Sequence, residues 1–302
     1  MKKILGLCML TALLYGCSSV PITGRKRLML VSNSEVLSSS LTEYSNYMKT
    51  AKVSTNTAGK AMVTRVGKRI ATATEQYLRN NGMSKEIKDF AWEFNLVNSS
   101  EVNAFCMPGG KIVVYEGLLP LVSNDDDLAV VLGHEVAHAV AKHSNERMSQ
   151  QIAAEYGATI LDATLSNSSA IVQGLGSMVY GLGAQYGVML PFSRKHESEA
   201  DYMGLILMTM AGYNPNNAVT FWEKMSANGK GNAPQFLSTH PSDASRIKSI
   251  QKHLPEMSKY RPTGAGWKVS TTKDTTTKKT TQSTKSINVN SIKTTTTPKR
   301  NN

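Results

Sequence analysis

Cysteine is almost missing from this chain of 302 residues, occurring at Cys8, Cys17 and Cys106. Cys8 lies inside an N-terminal segment that reads as a cleaved export signal, and Cys17 stands at its end. A mature domain would keep Cys106 alone, so no internal disulfide can brace it. Cys106 itself reads as a small buried residue, because nothing in the sequence places a base beside it. Charged residues are scarce at 19% and aromatics at 7%, and long apolar runs are lacking. Ile4–Leu14 is too short to span a bilayer. Residues 163–193 carry no charge but are broken by Asn167, Gln173, Gln185 and many glycines. Helices packed through small residues are the favoured reading there, with contact to a membrane surface as the other.

Acidic residues are outnumbered, 22 against 34 basic ones, for a net charge of +12. The surplus sits at the ends. Lys268, Lys273, Lys278, Lys279, Lys285, Lys293, Lys299 and Arg300 share the C-terminal tail with a single acid, Asp274, and Lys2, Lys3 and Arg25-Lys26-Arg27 lie near the start. A central body closer to neutral argues against nucleic acid as a partner.

Lys2 and Lys3 precede the apolar run, and Leu14-Tyr15-Gly16-Cys17 follows it, then Ser18-Ser19. This resembles the bacterial lipobox, in which cleavage occurs before a cysteine that carries a lipid. Residues 1–16 are therefore expected to be a lipoprotein signal peptide, and 17–34 a tether anchored to a membrane by lipid on Cys17. Residues 35–262 are expected to fold, and 263–302, rich in Thr and Lys, to be disordered. Ser18 after the cysteine fits sorting to an outer membrane. The expected location is the bacterial cell envelope, on the outer membrane facing the periplasm.

Within the body, the spacing of Val63, Val66 and Ile70 predicts helix between about 35 and 80. Trp92, Phe94 and Leu96 alternate with Glu93 and Asn95, which predicts a half-buried strand. Pro108-Gly109-Gly110 followed by the β-branched run at 111–115 predicts a hairpin over 102–115. Asn124 with Asp125, Asp126 and Asp127 reads as the capped start of a helix reaching about His143. A second helix is expected over 194–210, ending at Gly212.

The chemistry is concentrated in His134-Glu135-Val136-Ala137-His138. On a helix, residues four apart share a face, so both imidazoles can grip one metal ion. Glu135 lies about 100° round the helix, close enough to reach a water on that metal without ligating it. A metzincin would need Gly at 141 and His at 144, where Ala141 and Ser144 stand. His143 falls off the ligating face and reads as a supporting residue. A gluzincin needs a glutamate from a second helix, and His196-Glu197-Ser198-Glu199-Ala200-Asp201 offers candidates. Glu197 and Asp201 share a face, which favours Glu197 as the third ligand and Asp201 as the group that orients a zinc histidine through its other ring N–H. Glu199 stays open as an alternative ligand.

At this point the chain resembles metallopeptidase family 48, the group of the HtpX-like and CAAX prenyl proteases, in its lipoprotein branch of the LoiP and YcaL type. Pro21-Ile22-Thr23-Gly24-Arg25, Asn103-Ala104-Phe105, Pro108-Gly109-Gly110, the His134–His138 motif with His143, Glu197-Ser198-Glu199-Ala200-Asp201, and Thr239-His240-Pro241 with Arg246-Ile247 carry the likeness. The resemblance implies an α+β, mainly helical gluzincin fold with one Zn2+ per subunit and Glu197 as its third ligand. It also implies a small antiparallel sheet beside the cleft, in which 111–115 could pair with a peptide. His240 is implied near the site as a transition-state donor, a fourth zinc ligand or a structural turn, and Arg246 as substrate-binding or as half of an ion pair. The expected reaction is endoproteolysis of misfolded or unassembled envelope proteins, with Glu135 as general base. Two rivals stand beside it: a chaperone-like outer-membrane assembly factor with little proteolysis, and a lipoprotein whose zinc is structural.

Overall fold

The computed structural model describes residues 17–153, 193–228, 235–240 and 244–265. The expected signal peptide, the small-residue stretch up to 192 and the tail beyond 265 lie outside the described residues.

The segment expected to be a tether is instead a hairpin packed on the domain. Strand β1 (Cys17–Ser19) pairs antiparallel with β2 (Lys26–Leu28), and Val20 between them is buried in the main core. Pro21 and Gly24, which break any periodic pattern, form the turn. Its closure is marked by the Val20 N–H donating to the Arg25 carbonyl at 2.8 Å. Three-residue strands are too short to announce themselves by periodicity.

Helix α1 (Asn33–Thr50) starts with a capping box between Ser32 and Glu35. Helix α2 (Thr57–Asn80) is capped by Asn56 and buries Val63, Val66 and Ile70 as the spacing requires. Strands β3 (Glu93–Val97), β4 (Ala104–Met107) and β5 (Lys111–Tyr115) form one sheet in the order β3-β5-β4. The α+β class holds, but the sheet is mixed: β4 and β5 make the expected hairpin, while β3 runs parallel to β5. The 111–115 segment, expected to border the cleft, is paired on both sides and has no backbone to offer a peptide. The sheet's edges are β3 and β4, and β4 is the one whose backbone reaches Glu135.

Asn124 accepts a hydrogen bond from the Asp127 N–H and starts helix α3 (Asp125–Val140), which is buried almost all round. It stops short of His143. Lys142 adopts φ 51°, its ammonium held by Glu86 at 2.7 Å and Asp89 at 3.1 Å, and helix resumes over 143–153. Helix α4 (Arg194–Met210), capped by Ser193, crosses α3 at two glycines. A Cβ on Gly133 would lie 2.9 Å from the Gly204 carbonyl, and one on Gly204 would lie 2.9 Å from the His134 nitrogen. Only glycine permits this approach, and the approach brings the two motif-bearing helices into contact. Helix α5 (Asn217–Asn228) adds Phe221 and Trp222 to the same core, and α6 (Ala244–His253) adds Ile250. Each such side chain contributes about 1.5–3 kcal/mol by leaving water.

Candidate metal centre

Helix α3 sets His134 and His138 one turn apart, with their Nε2 atoms 3.0 Å from each other. Helix α4 supplies Glu197 opposite them, Oε1 lying 3.3 Å from His138 Nε2 and Oε2 3.4 Å from His134 Nε2. One turn further along α4, Asp201 Oδ1 sits 3.0 Å from His134 Nδ1. It can accept that N–H and so leave Nε2 as the lone-pair donor. His240 closes the group, its Nδ1 3.2 Å from His134 Nε2 and 3.0 Å from Glu197 Oε1. All five residues are buried.

These spacings can be tested against a metal. Zinc bonds of about 2.0–2.1 Å in a tetrahedron separate neighbouring donors by about 3.3 Å. One donor atom each from His134, His138, Glu197 and His240 lies within 4.8 Å of the others, with the separations above at 3.0–3.4 Å. Two imidazole nitrogens at 3.0 Å inside a dry core would otherwise compete for one proton, so the set fits a shared cation. The charges agree. Burial, outweighing the pull of Glu197, holds His138 well below the ordinary histidine range and therefore neutral. Burial alone would raise Glu197, yet the surrounding histidines, His134 foremost, hold it far below the usual carboxylate range.

Of the two roles expected for Arg246, at substrate or in an ion pair, its contacts are those of the ion pair. Its guanidinium grips Asp201 through Nε at 2.6 Å and Nη2 at 2.8 Å, and Nη1 lies 3.0 Å from Glu197 Oε2. Its flat face rests on the Trp222 ring, 3.8 Å from the ring centre. With its side chain 5% exposed, it is spent on orienting the two carboxylates. Burial would raise Asp201, but Arg246 and then His134 keep it low and ionised.

Glu135 faces the same centre from α3. Its Oε2 accepts the Cys106 N–H of β4 at 3.2 Å. Its Oε1 lies 3.3 Å from His240 Nε2 and accepts no hydrogen bond among the described residues. Burial raises its pKa against the opposing pull of His240 and His134. Cys106 thus matters through its backbone, and burial pushes its thiol well above the ordinary range.

Behind the centre lies a second buried cluster that sequence reasoning missed. Because helix breaks at Lys142, His143 swings beneath His138, their Nδ1 atoms 2.9 Å apart. Glu199, kept open as an alternative ligand, faces this cluster and not the metal centre. Its Oε2 lies 3.0 Å from His143 Nε2. His143, Glu146 and His196 could by themselves hold a cation, but one is built in. Arg25 donates to both oxygens of Glu146 at 2.7 and 2.6 Å and to Glu199 at 2.8 Å. Burial would raise Glu146, but Arg25 and His196 bring it down to about 2. Burial pushes His143 down to about 4 against the pull of Glu199. The usable signal was the Arg25-Lys26-Arg27 alternation, which turns two cations inward and one outward. Arg27, also buried, donates to the Ala141 carbonyl at the end of α3.

Comparisons with known proteins agree with this geometry. The model of peptidase family M48 matches residues 64–254. Mitochondrial metalloendopeptidase OMA1 of Schizosaccharomyces pombe is 42% identical over 203 residues, covering 67% of this chain and 55% of the relative. The human metalloendopeptidase OMA1, mitochondrial, is 30% identical over 252 residues, covering 80% of this chain and 46% of the relative. The beta-barrel assembly-enhancing protease of Escherichia coli (strain K12) is 28% identical over 191 residues, covering 60% and 39%. The chain thus spans about half the length of these relatives, or less. The expected location on a bacterial outer membrane is overturned: relatives matching over most of the chain carry mitochondrial names. The lipobox-like residues had been the whole basis for that location. Among the described residues, no helix is long and apolar enough to cross a membrane.

Proposed function

The chain belongs to peptidase family M48, and from that premise we propose that it is a zinc-dependent endopeptidase acting on unfolded or misassembled polypeptides. The observation that carries this reading is the convergence of His134, His138 and Glu197 from two crossing helices, with the Glu135 carboxylate turned to the same point. The metalloendopeptidase names of the relatives support it.

Zinc held by these donors would act as a Lewis acid toward the scissile carbonyl and lower the pKa of the attacking water. Glu135 Oε1 takes the proton of that water, and the same carboxyl returns it to the departing amine nitrogen. The Cys106 N–H fixes the other oxygen, so the base is aimed and does not rotate. Asp201 holds His134 in one tautomer, and Arg246 holds Asp201. Edge strand β4 borders the centre; with its Ala104 and Cys106 N–H groups given to Asn103 and Glu135, it would meet an extended peptide through its carbonyls. His240 stands where its Nε2 can donate to the developing oxyanion. Its Nδ1, 3.2 Å from His134 Nε2, favours a second reading in which it is a fourth ligand that closes the site, with zinc structural or the enzyme latent.

Casein digestion with and without a chelator tests the proposal. The expected result is cleavage that a chelator stops and zinc restores, with Glu135→Gln retaining zinc but not cleaving. Cleavage by Glu135→Gln at the wild-type rate would remove Glu135 as the base. A wild-type chain that binds zinc and never cleaves would favour the closed site. A lipid on Cys17, and a place in a lipoprotein branch, rest on the sequence around Leu14–Ser19 and are proposals of their own. An intact mass lacking diacylglycerol would remove them.

A further inference from the structure

The hairpin at the start of the described chain reaches the metal centre without touching it. Arg25 Nε and Thr23 Oγ1 donate to the two oxygens of Glu199 at 2.8 and 2.5 Å. Glu199 Oε2 lies 3.0 Å from His143 Nε2, and His143 Nδ1 lies 2.9 Å from His138 Nδ1. His138 presents its remaining nitrogen, Nε2, to Glu197 and His134. From these positions we infer that Arg25, Glu199 and His143 form a positioning relay that fixes the ring of His138 as a metal ligand, with the 17–28 hairpin as its anchor.

The direction of the hydrogen bonds follows from the carboxylate. Glu199 only accepts, so His143 Nε2 carries the proton and donates. His143 Nδ1 then accepts from His138 Nδ1–H, which leaves His138 Nε2 as a lone pair facing the centre. A carboxylate behind an imidazole ligand is the arrangement Asp201 provides for His134. Here the same task is done at one remove, through a second imidazole. Backbone strain marks the same two places. Ile22, at φ 71°, turns the hairpin so that Thr23 and Arg25 meet Glu199, and Lys142, at φ 51°, breaks the helix so that His143 lies under His138. A residue other than glycine is strained in the left-handed region and persists there where surrounding contacts enforce it. Arg25 divides its guanidinium between Glu146, on the helix after the break, and Glu199, on α4. It thereby locks both supports of the relay to one strand pair.

The inference rests on the metal reading of the preceding section, and one experiment separates the two. Zinc affinity of the full chain is measured by chelator competition for wild type, Glu199→Gln, His143→Phe and the double variant, alongside thermal unfolding of each apo-protein. Each single variant is expected to bind zinc about ten- to a hundredfold more weakly. The double variant should bind no more weakly than the worse single one, because both cut the same chain. Leu78→Ala, a core truncation with no polar link to the relay, should lower the apo unfolding temperature and leave zinc affinity alone. If His143→Phe fails to fold, Thr23→Val, which removes one donor to Glu199, reads the same link with a smaller loss. Wild-type zinc affinity in Glu199→Gln, or fully additive losses in the double variant, would overturn the relay alone. A wild-type chain that takes up no zinc would overturn the metal reading and the relay with it.

Discussion

Two buried histidine–carboxylate clusters share the helices of this protein, and they use nearly the same residue types for opposite ends. In the front cluster, one nitrogen or oxygen each from His134, His138, His240 and Glu197 lies within 4.8 Å of the others. Arg246 approaches this cluster from one side, against Asp201, Glu197 Oε2 and the ring of His134. In the rear cluster, Arg25 lies between Glu146 and Glu199 and satisfies both. The difference teaches that a set of potential ligands is not a metal site until one asks which cation the fold already provides. Where a guanidinium bridges the carboxylates, the cluster is a fastening; where it stands to one side of converging imidazoles, a cation from solution can take the centre.

That contrast can be broken most severely at Glu135. Glu135→Gln should cut peptide hydrolysis about 10²- to 10⁴-fold with zinc content unchanged. His196→Gln, in the rear cluster, should leave the rate within a few-fold, and equal losses in the two variants would erase the distinction. Next in size is the removal of each cation. Arg246→Ala strands buried Asp201 and should cost about 3–5 kcal/mol in denaturant unfolding. Arg25→Ala should cost less, because its side chain is 16% exposed and solvent screens what remains. The reverse order would show that the rear cluster carries more of the stability. A smaller effect is expected at the helix crossing that holds the clusters in place. Gly204→Ala forces a contact of 2.9 Å against the His134 backbone and should destabilise by about 1–3 kcal/mol, with a neutral result contradicting the close approach. The smallest is a pH effect. Glu146 has a folded pKa of about 2 against 4.5 when free. Its contribution to stability is complete above about pH 4.5 and is lost as the pH falls toward 2. The advantage in unfolding temperature of wild type over Glu146→Gln should shrink across that window, and a constant advantage would remove the charge-pair explanation.

How far the sequence revealed each cluster follows from their geometry. The front cluster obeys helical arithmetic: His134 and His138 one turn apart, Glu197 and Asp201 one turn apart, each pair on a face of its own helix. The cap at Asn124 and the hairpin around Pro108-Gly109-Gly110 were similarly legible, because each is a short-range signal. The rear cluster depends on two unusual backbone positions, Ile22 and Lys142, which no periodicity announces. A left-handed lysine redirected His143, and a three-residue strand pair carried Arg25 and Arg27 inward, where Pro21 and Gly24 had looked like the marks of a tether. Arg246 was legible as a residue near the site but not in its direction, since the Trp222 ring that holds it comes from a different helix. The misplaced edge strand has the same origin. β5 and β4 are adjacent in sequence, and the strand that covers the far side of β5 is β3, which precedes both.

The central claim is that the front cluster, and not the rear one, takes the metal. Anomalous diffraction from crystals of the zinc-loaded chain, collected at the zinc absorption edge, tests it directly. The account predicts one peak per chain, about 2.0–2.1 Å from Nε2 of His134, Nε2 of His138 and a carboxylate oxygen of Glu197. A peak among His143, Glu146 and His196, with Arg25 displaced, would contradict it.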